Sequence, residues 1–305
     1  MDERVIDVPY WLRVFIVRGI ILNTRPKKSA HAYKTIWWDE GSPLIVLTKR
    51  LREKVQKYLD IPVEIGMRYG SPSIKSGLQA LCEKGVKEVI MLPLYPQFAM
   101  ATTETVNVLA EKVVRNFFPD MTLKHIPAFY NRRDYIEVLS GSIKAFLKGK
   151  NYDYLLFSYH GVPERHIKKR DITKSHCKLD ECCQKANPAH EFCYRHQCYA
   201  TTQSVVKKLN LKDALFQTSF QSRLGVDPWL QPYTDQTIAN LPQKGVKNLA
   251  VVMPAFVSDC LETLEEIGKE ARVSFLENGG ESFHLVPCLN DRDDWAKTVA
   301  SWAKE

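Results

Sequence analysis

The sequence predicts an α/β fold built from two related, doubly wound halves whose parallel sheets face a central cleft. Three observations support this prediction. A strand–helix–strand unit spans residues 62–96, an apolar strand ends at His160, and a stretch from the first half of the chain recurs near its end. In open parallel sheets, ligands bind beyond the carboxyl ends of the strands. The residues that follow the strands are therefore the candidates for function.

Length and composition are those of an ordinary globular protein. The chain has 305 residues, 45% hydrophobic and 26% charged, enough for two domains or one large α/β domain. No apolar run approaches the roughly 20 residues that a membrane span needs. The start, MDERVIDVPYW, lacks the sections of a signal peptide. We therefore expect a cytoplasmic protein.

The charge balance is basic, with 43 lysines and arginines against 35 acidic residues and a net charge of +8. The basic residues are spread along the chain and no aromatic RNA-binding signature accompanies them, so we expect no nucleic-acid partner. A solvated basic surface explains this pattern, and an anionic small molecule or anionic lipid surface is the alternative. Peripheral contact with the inner membrane stays open, and the oligomeric state is not defined.

The first βαβ unit consists of a predicted strand, helix and strand joined by short links. These elements are PVEIGMRYG (62–70), SPSIKSGLQALCEKG (71–85) and VKEVIMLPLYP (86–96). Ser71 is expected to cap the helix, with Pro72 in its first turn and Gly85 at its end. Tyr95 then lies at the carboxyl end of a strand, at the predicted cleft.

An internal repeat supports the division into two halves. Residues 83–106 and 243–267 both contain KGVK, then an apolar strand with a proline near its end, an aromatic-containing loop, and a helix start with Glu-Thr. A repeat at this separation predicts two related α/β halves, and a chance match of a common strand–helix pattern is the alternative.

The strand that ends at His160 is aromatic and aliphatic almost throughout, from Tyr154 to Tyr159, as in a strand buried on both faces. Gly161 and Pro163 end it. A histidine at this tip either bonds a loop carbonyl or works in the cleft. Gly161 favours the second interpretation, because it permits a ligand to approach closely.

The segment VSDCLETLEEIGKE (257–270) places carboxylates at the start of a predicted helix. Asp259 and Glu262 have the spacing of a capping box, which would make their role purely stabilising. Glu262 and Glu266 lie four residues apart on one helical face. Carboxylates beside an imidazole also suit proton transfer and the handling of a divalent metal.

The segment FQSRLGVDPWLQPYTDQTI (220–238) predicts a rigid loop that contains an aromatic residue and a cation. In one interpretation a buried Trp229 simply pins a loop rich in proline and glycine. In the other, the loop forms a wall for a flat anionic ligand, and Arg223 pairs with a carboxylate of that ligand.

A cysteine-rich insertion follows His160. Five cysteines fall within 22 residues, namely Cys177, Cys182, Cys183, Cys193 and Cys198. In a reducing compartment such a cluster favours metal binding over disulfides. His176, His190 and His196 are interleaved, and neither zinc-finger spacing nor C-x-x-C occurs. We expect four thiolates that hold zinc or an iron–sulfur cluster, with Cys182 or Cys183 left spare.

Several segments, in this order, carry a resemblance to a known family. They are GSPL (41–44), IGMRYGSPSI (65–74), LPLYPQF (92–98), SYHGVPERH (158–166), FQSRLG (220–225), PWLQPYTD (228–235), FVSDCLETLEEI (256–267) and PCLND (287–291). The chain closely resembles the ferrochelatase family over essentially its whole length. The resemblance implies two Rossmann-like, class II chelatase-like halves and a lyase that inserts ferrous iron into a porphyrin in haem synthesis.

The resemblance also implies roles for individual residues. His160 matches the essential histidine of the family and Glu262 the carboxylate that faces it, both next to the substrate iron. Glu266 and Asp259 match acidic positions of a proton or metal path. Cys260 stands where some members have histidine.

A porphyrin and a cofactor complete the implied site. Tyr95, Arg223 and Trp229 are expected to bind the porphyrin. The cysteine-rich insertion resembles the version in bacterial members that hold a [2Fe-2S] cluster with internal cysteines alone, so four of the five clustered thiols would be its ligands.

We expect an N-terminal half over residues 1–140, a C-terminal half over 141–290 that includes the insertion at 164–200, and a C-terminal helix over 291–305. The first strand of the family is not apparent before DERVIDVPYW. Protoporphyrin is the favoured substrate and coproporphyrin the alternative. A cobalt or nickel chelatase for another tetrapyrrole, and an inactive cluster-binding member of the fold, are further alternatives.

Overall fold

Two parallel sheets organise the chain. The computed structural model describes residues 2–225 and 227–305, apart from the side chains of Arg25 and Lys28. The strands are β1 (Glu88–Met91), β2 (Thr122–His125), β3 (Tyr154–His160), β4 (Phe216–Gln221), β5 (Asn248–Val252) and β6 (Ser282–Leu285). β1 pairs with β2, and the second sheet has the order β4-β3-β5-β6. Every pair is parallel, which confirms the predicted α/β class.

Helices surround both sheets. The α-helices are α1 (Tyr10–Val14), α2 (Leu22–Ile36), α3 (Pro43–Gln56), α4 (Ile74–Glu83), α5 (Thr105–Phe117), α6 (Arg133–Leu147), α7 (Glu164–Lys169), α8 (Tyr194–Leu209), α9 (Thr234–Asn240), α10 (Arg272–Glu277) and α11 (Asp293–Trp302). π-Helical segments run over Phe15–Ile21, Met100–Glu104 and Glu262–Ala271, and 3₁₀ turns over Glu181–Gln184, Pro188–Phe192, Asp213–Leu215 and Pro242–Lys244. None of the helices within the described residues has both the length and the apolar character needed to cross a membrane.

The C-terminal sheet is covered on both faces, which is why β3 is apolar almost throughout. Leu155, Phe157 and Tyr159 point into a core shared with α6, α8 and α11. Leu156 points to the other side, into a core shared with α9, α10 and the π-helical segment Glu262–Ala271. The predicted strand with two buried faces is thus confirmed, and its carboxyl end presents His160.

The N-terminal sheet is smaller than predicted. Residues 62–70 do not form a strand, and Met67 makes only an isolated bridge to Ser73. A strand needs a neighbouring ladder of hydrogen bonds, and this extended segment has none among the described residues. Helix α4 is capped by the Ser73 hydroxyl, which accepts from the Ser76 amide at 3.0 Å, so the predicted Ser71 cap was wrong.

The internal repeat has a structural counterpart. In the first copy, β1 is followed by a loop and the π-helical segment Met100–Glu104. In the second copy, β5 is followed by a loop and the π-helical segment Glu262–Ala271. Single π turns occur often at functional sites. Both copies therefore place a loop and an irregular helix start at the carboxyl end of a strand.

Helix α6 packs in the core of the C-terminal sheet. The expected division at residue 140 falls inside this helix, and its buried face packs in the core around β3. The C-terminal helix α11 contributes Trp295 and Trp302 to the same core, where both rings lie close to Phe129. A salt bridge from Lys54 to Asp291 at 3.2 Å ties α3 to the approach of α11.

Candidate active site

His160 is the last residue of β3, and its surroundings determine which ring nitrogen carries the proton. The imidazole Nδ1 lies 2.6 Å from the carbonyl oxygen of Gly161. A carbonyl oxygen can only accept a hydrogen bond, so Nδ1 donates. Nε2 of the neutral ring therefore has a free lone pair, and it can take a proton.

Aromatic rings flank the imidazole. The centroids of Trp229 and Phe256 each lie 6.4 Å from that of His160. Gly161 is required by this packing, because a Cβ at this position would lie 2.9 Å from the carbonyl oxygen of Gln221 and 3.2 Å from the Trp229 ring. We expected Gly161 to leave room for a ligand, but the space beside its Cα is filled by Gln221 and Trp229 of the protein itself.

Glu262 begins the π-helical segment that follows the loop after β5. The Cys260 thiol lies against its carboxylate, and burial together with this negative charge raises the pKa of the thiol. The hydroxyls of Tyr33 and Tyr95 lie near the same carboxylate. Burial raises the pKa of each hydroxyl first, and the Glu262 charge adds to the effect. Among the described residues, no lysine or arginine forms a salt bridge with Glu262.

Glu266 lies one turn further along and is partly buried. Its carboxylate accepts from the Ser222 amide at 2.8 Å and from the Ser222 hydroxyl at 2.5 Å. Burial raises the pKa of the carboxyl group, and this effect outweighs the lowering by those hydrogen bonds and by the nearby His160. Glu266 is therefore a carboxyl group close to the imidazole that retains its proton more readily than an exposed glutamate.

Asp259 anchors the loop before Glu262. Its carboxylate accepts from the Thr263 hydroxyl at 3.0 Å and from the Asn290 side-chain amide at 2.6 Å. The Asp259 amide donates to the Asn290 side-chain oxygen at 2.8 Å. Because that amide is not bonded to Glu262, the capping box suggested by the spacing does not form.

The expected porphyrin residues are distributed around this centre. Trp229 flanks His160, and Tyr95 lies beside Glu262. Arg223 is further out, with its guanidinium 4.5 Å from the centroid of Tyr233 and 3.5 Å from a carboxylate oxygen of Asp235. Val226, in the same loop, lies outside the described residues.

Several residues at the site carried no functional signal in the sequence. Tyr33 comes from α2, more than two hundred positions before Glu262, and only the fold brings them together. Phe256 and Gln221 were inside segments that carry the family resemblance, but an apolar ring and a neutral amide have no chemical signature of their own. Tyr194 donates its hydroxyl to the His160 carbonyl oxygen at 2.8 Å.

The clustered cysteines divide into four that interact and one that lies apart. Cys177 lies beside Cys182, and Cys183 lies beside both Cys182 and Cys193. The neighbouring Cys193 thiol is the main cause of the raised pKa of Cys183. Cys198 is completely buried in the core, where burial raises the pKa of its thiol. The thiol–thiol hydrogen bonds thus join Cys177, Cys182, Cys183 and Cys193 and do not include Cys198.

The sulfur atoms of Cys183 and Cys193 each accept one N–H hydrogen bond. The His196 amide donates to the Cys193 sulfur and the Arg195 guanidinium to the Cys183 sulfur, both at 3.4 Å. Donors of this kind stabilise thiolate charge. Across residues 2–225 and 227–305, no three histidine, cysteine or acidic side chains are gathered around one point that could hold a single metal ion.

Comparisons with known proteins identify the relatives of this chain. The model of a family described as Ferrochelatase matches residues 1–305. A ferrochelatase of Ectopseudomonas mendocina (strain ymp) is 49% identical over 302 residues, which cover 98% of this chain and 88% of that protein. A ferrochelatase of Pseudomonas fluorescens (strain Pf0-1) is 46% identical over 304 residues, which cover 99% of this chain and 89% of that protein.

Solved structures share the fold at much lower identity. SirB from Bacillus subtilis with Fe3+ matches with a TM-score of 0.56 and 12% identity over 85% of this chain and 87% of that one. The sirohydrochlorin chelatase SirB from Bacillus subtilis subspecies spizizenii, in complex with cobalt, matches with a TM-score of 0.56 and 10% identity over 87% and 90% of the two chains. At this identity the likeness shows the fold alone.

Proposed function

This chain belongs to the ferrochelatase family, and we propose that it inserts ferrous iron into protoporphyrin at the carboxyl end of its C-terminal sheet. The observation that supports this most directly is the free Nε2 of His160 together with the Glu266 carboxyl group close to it and Glu262 one turn before Glu266 on the same helical segment. Glu262 has no cationic partner among the described residues, whereas burial raises the pKa of Glu266. Metal insertion needs such a combination, because one divalent ion replaces two pyrrole N–H protons.

His160 is the proposed base. Its Nδ1 donates to the Gly161 carbonyl, which holds the ring in one tautomer and leaves Nε2 as the nitrogen that can accept a proton. Histidine is the side chain most often used as a general base, and the lone pair of Nε2 can accept a pyrrole proton. The flanking Trp229 and Phe256 rings offer apolar surfaces against which the flat macrocycle can rest.

Glu262 and Glu266 are proposed to carry protons away or to bring iron in. An unpaired carboxylate such as Glu262 attracts a divalent cation and accepts protons. Glu266, because burial raises its pKa, holds a proton more readily than an exposed glutamate and can act as a proton carrier beside the imidazole. Asp259 is proposed to hold the loop rather than to join this path, since the Thr263 hydroxyl and the Asn290 amide already occupy both of its carboxylate oxygens.

Tyr95, Trp229 and Arg223 are the proposed porphyrin contacts. Arg223 is 47% and Asp235 65% exposed. An exposed ion pair of this kind contributes only about 0–1 kcal/mol. The guanidinium can therefore leave Asp235 for a porphyrin propionate at little cost.

A [2Fe-2S] cluster is the proposed cofactor, held by Cys177, Cys182, Cys183 and Cys193. The fit rests on two pairs of neighbouring thiols, since such a cluster takes two thiolates at each iron. The N–H donors on the Cys183 and Cys193 sulfur atoms would stabilise the thiolates. When bound, the group would cross-link a segment that has little apolar core of its own.

A cytoplasmic location with peripheral membrane contact is proposed from the first helices. Tyr10, Trp11 and Phe15 are 69%, 71% and 61% exposed, although each is a large apolar or amphipathic side chain. Rings of this kind favour a membrane interface. Sedimentation with anionic vesicles, and its loss in Trp11→Ser, would test this contact.

One assay tests the proposed reaction. The protein is incubated anaerobically with protoporphyrin or coproporphyrin and with Fe²⁺, Zn²⁺ or Co²⁺, and the metalloporphyrin absorbance is followed. We expect the fastest turnover with protoporphyrin and Fe²⁺. Faster turnover with coproporphyrin would change the substrate, and no turnover with any pair would leave only a cluster-binding member of the fold.

A further inference from the structure

Gln221 connects the two sides of the proposed active site. It is the last residue of β4, and it stands opposite His160 in the register of β3 and β4. Its carbonyl oxygen accepts from the Gly161 amide at 2.7 Å. Its side-chain Nε2 donates to the carbonyl oxygen of Glu262 at 3.1 Å and lies 3.4 Å from a carboxylate oxygen of Glu266.

The orientation of the Gln221 amide is determined by its buried surroundings. Its Oε1 accepts from the Ser158 hydroxyl at 2.7 Å. The Thr234 hydroxyl lies 2.9 Å from the Ser158 hydroxyl. A flipped amide would point Oε1 at the backbone carbonyl oxygen of Glu262, which can only accept a hydrogen bond. Because Gln221 is only 3% exposed, water cannot compensate for that repulsion.

We propose that Gln221 is a positioning residue that sets the separation between the imidazole of His160 and the carboxylates of Glu262 and Glu266. Its backbone is bonded to the strand tip that carries the base, and its side chain is bonded to the first turn of the π-helical segment that carries the acids. This inference rests on the proposed function.

The energetic consequence should appear in catalysis more than in binding. An apolar side chain of the same size could fill the space, but it would leave the Glu262 carbonyl without its side-chain donor and the first turn free to shift. A misplacement of about 1 Å at a reacting centre can cost about 100-fold in rate. The porphyrin contacts should persist, because Ser222 and the loop after it remain bonded to Glu266 itself.

Gln221→Met is the test variant, and Thr202→Val is the matched control. The Thr202 hydroxyl is also buried, 2.9 Å from the Tyr159 hydroxyl and 3.0 Å from that of Thr218. Both substitutions therefore remove buried hydrogen bonds next to the β3–β4 pair, but Thr202 lies on the face away from Glu262. We expect similar losses of melting temperature in the two variants.

The kinetic readout separates positioning from stability. Gln221→Met should lower kcat for iron insertion by about 100-fold with the porphyrin KM within about twofold of wild type. Thr202→Val should keep kcat within about twofold. Ser158→Ala removes the bond that orients the amide, together with the contact between the Ser158 and Thr234 hydroxyls. It should give an intermediate loss of kcat and serves if Gln221→Met fails to fold. Equal kcat in Ser158→Ala, Gln221→Met and Thr202→Val would overturn the inference.

Amide hydrogen exchange distinguishes failure of this inference from failure of the proposed function. Residues 262–267 should exchange faster in Gln221→Met than in Thr202→Val or wild type. Unchanged exchange together with an active wild type contradicts the role of Gln221 alone. A wild-type protein that forms no metalloporphyrin contradicts the proposed function and, with it, any catalytic role for Gln221.

Discussion

The hydroxyl of Tyr194 donates a hydrogen bond of 2.8 Å to the carbonyl oxygen of His160. Tyr194 is the first residue of α8 and directly follows Cys193. The cysteine-rich insertion is therefore joined to the tip of the strand that carries the proposed base. A change in the position of Cys193 can therefore shift Tyr194 and, through its hydrogen bond, the backbone of His160.

The phenylalanine variant of Tyr194 tests this connection. Tyr194→Phe keeps the ring in the core and removes one hydrogen bond, worth about 1 kcal/mol. We expect kcat for iron insertion to fall by about three- to tenfold, with the visible spectrum and the iron content of the protein unchanged. An unchanged kcat would show that His160 does not depend on the insertion.

Glu262→Gln tests the carboxylate without changing the size of the side chain. Because Glu262 takes no part in a capping box, the melting temperature should stay close to that of wild type. Loss of the negative charge should lower turnover by about 100-fold or more. Glu270→Gln, an exposed change in the same helical segment, is the control and should be neutral. Normal turnover in Glu262→Gln would reject its proposed role.

Glu266 should give the stability of the protein a characteristic pH dependence. Its folded-state pKa is raised above the ordinary value of 4.5, so the folded protein holds this proton more tightly than the unfolded chain. The resulting stabilisation is fully present below pH 4.5 and is lost as the pH rises through the folded-state pKa. Relative to Glu266→Gln, wild type should therefore lose free energy of unfolding as the pH rises from 4.5 towards neutrality. Urea unfolding of both proteins at several pH values measures the difference, and a constant difference would contradict the raised pKa.

The cysteines make a separate prediction. Protein purified anaerobically from iron-replete cells should be reddish, with acid-labile sulfide at about two per chain for a [2Fe-2S] centre. Single replacement by serine of Cys177, Cys182, Cys183 or Cys193 should bleach it. Cys198→Ala should keep the colour and lower only the melting temperature.

Two results would contradict that assignment. In the first, Cys198→Ala loses the cluster while Cys182→Ser or Cys183→Ser keeps it. Cys198 would then be a ligand, and Cys182 or Cys183 would be the spare thiol. A colourless protein that contains one zinc ion and no sulfide would replace the cluster with a structural zinc site.

The parts of the fold that could be predicted were those with strong local signals. The almost continuous apolar run before His160 identified β3 and its tip, and the internal repeat identified equivalent strand ends in its two copies. The strand expected at residues 62–70 was wrong because strand formation depends on a neighbouring ladder, which local pattern does not report. The cap of α4 was predicted at Ser71 but lies at Ser73. A serine stands on each side of Pro72, and the local pattern did not distinguish them.

The proposed site was predictable where residue chemistry is distinctive. A histidine at a strand end and glutamates at the start of a predicted helix stood out as candidates for that reason. The burial of Cys198 in the core was not predictable, because spacing alone cannot tell which face of α8 turns towards the core. Tyr33 was missed because it comes from a remote helix. Gln221 was missed because its role lies entirely in what it bonds to.

The most direct test of the account is iron insertion by His160→Ala under anaerobic conditions with protoporphyrin. The side chain lies at a strand tip and is only partly buried, so circular dichroism and melting temperature should match wild type. Without Nε2 to accept a pyrrole proton, formation of the iron porphyrin should fall by at least about 100-fold, while quenching of tryptophan fluorescence by bound protoporphyrin persists. Turnover near the wild-type rate in a folded His160→Ala protein would contradict the central claim that His160 is the base for metal insertion.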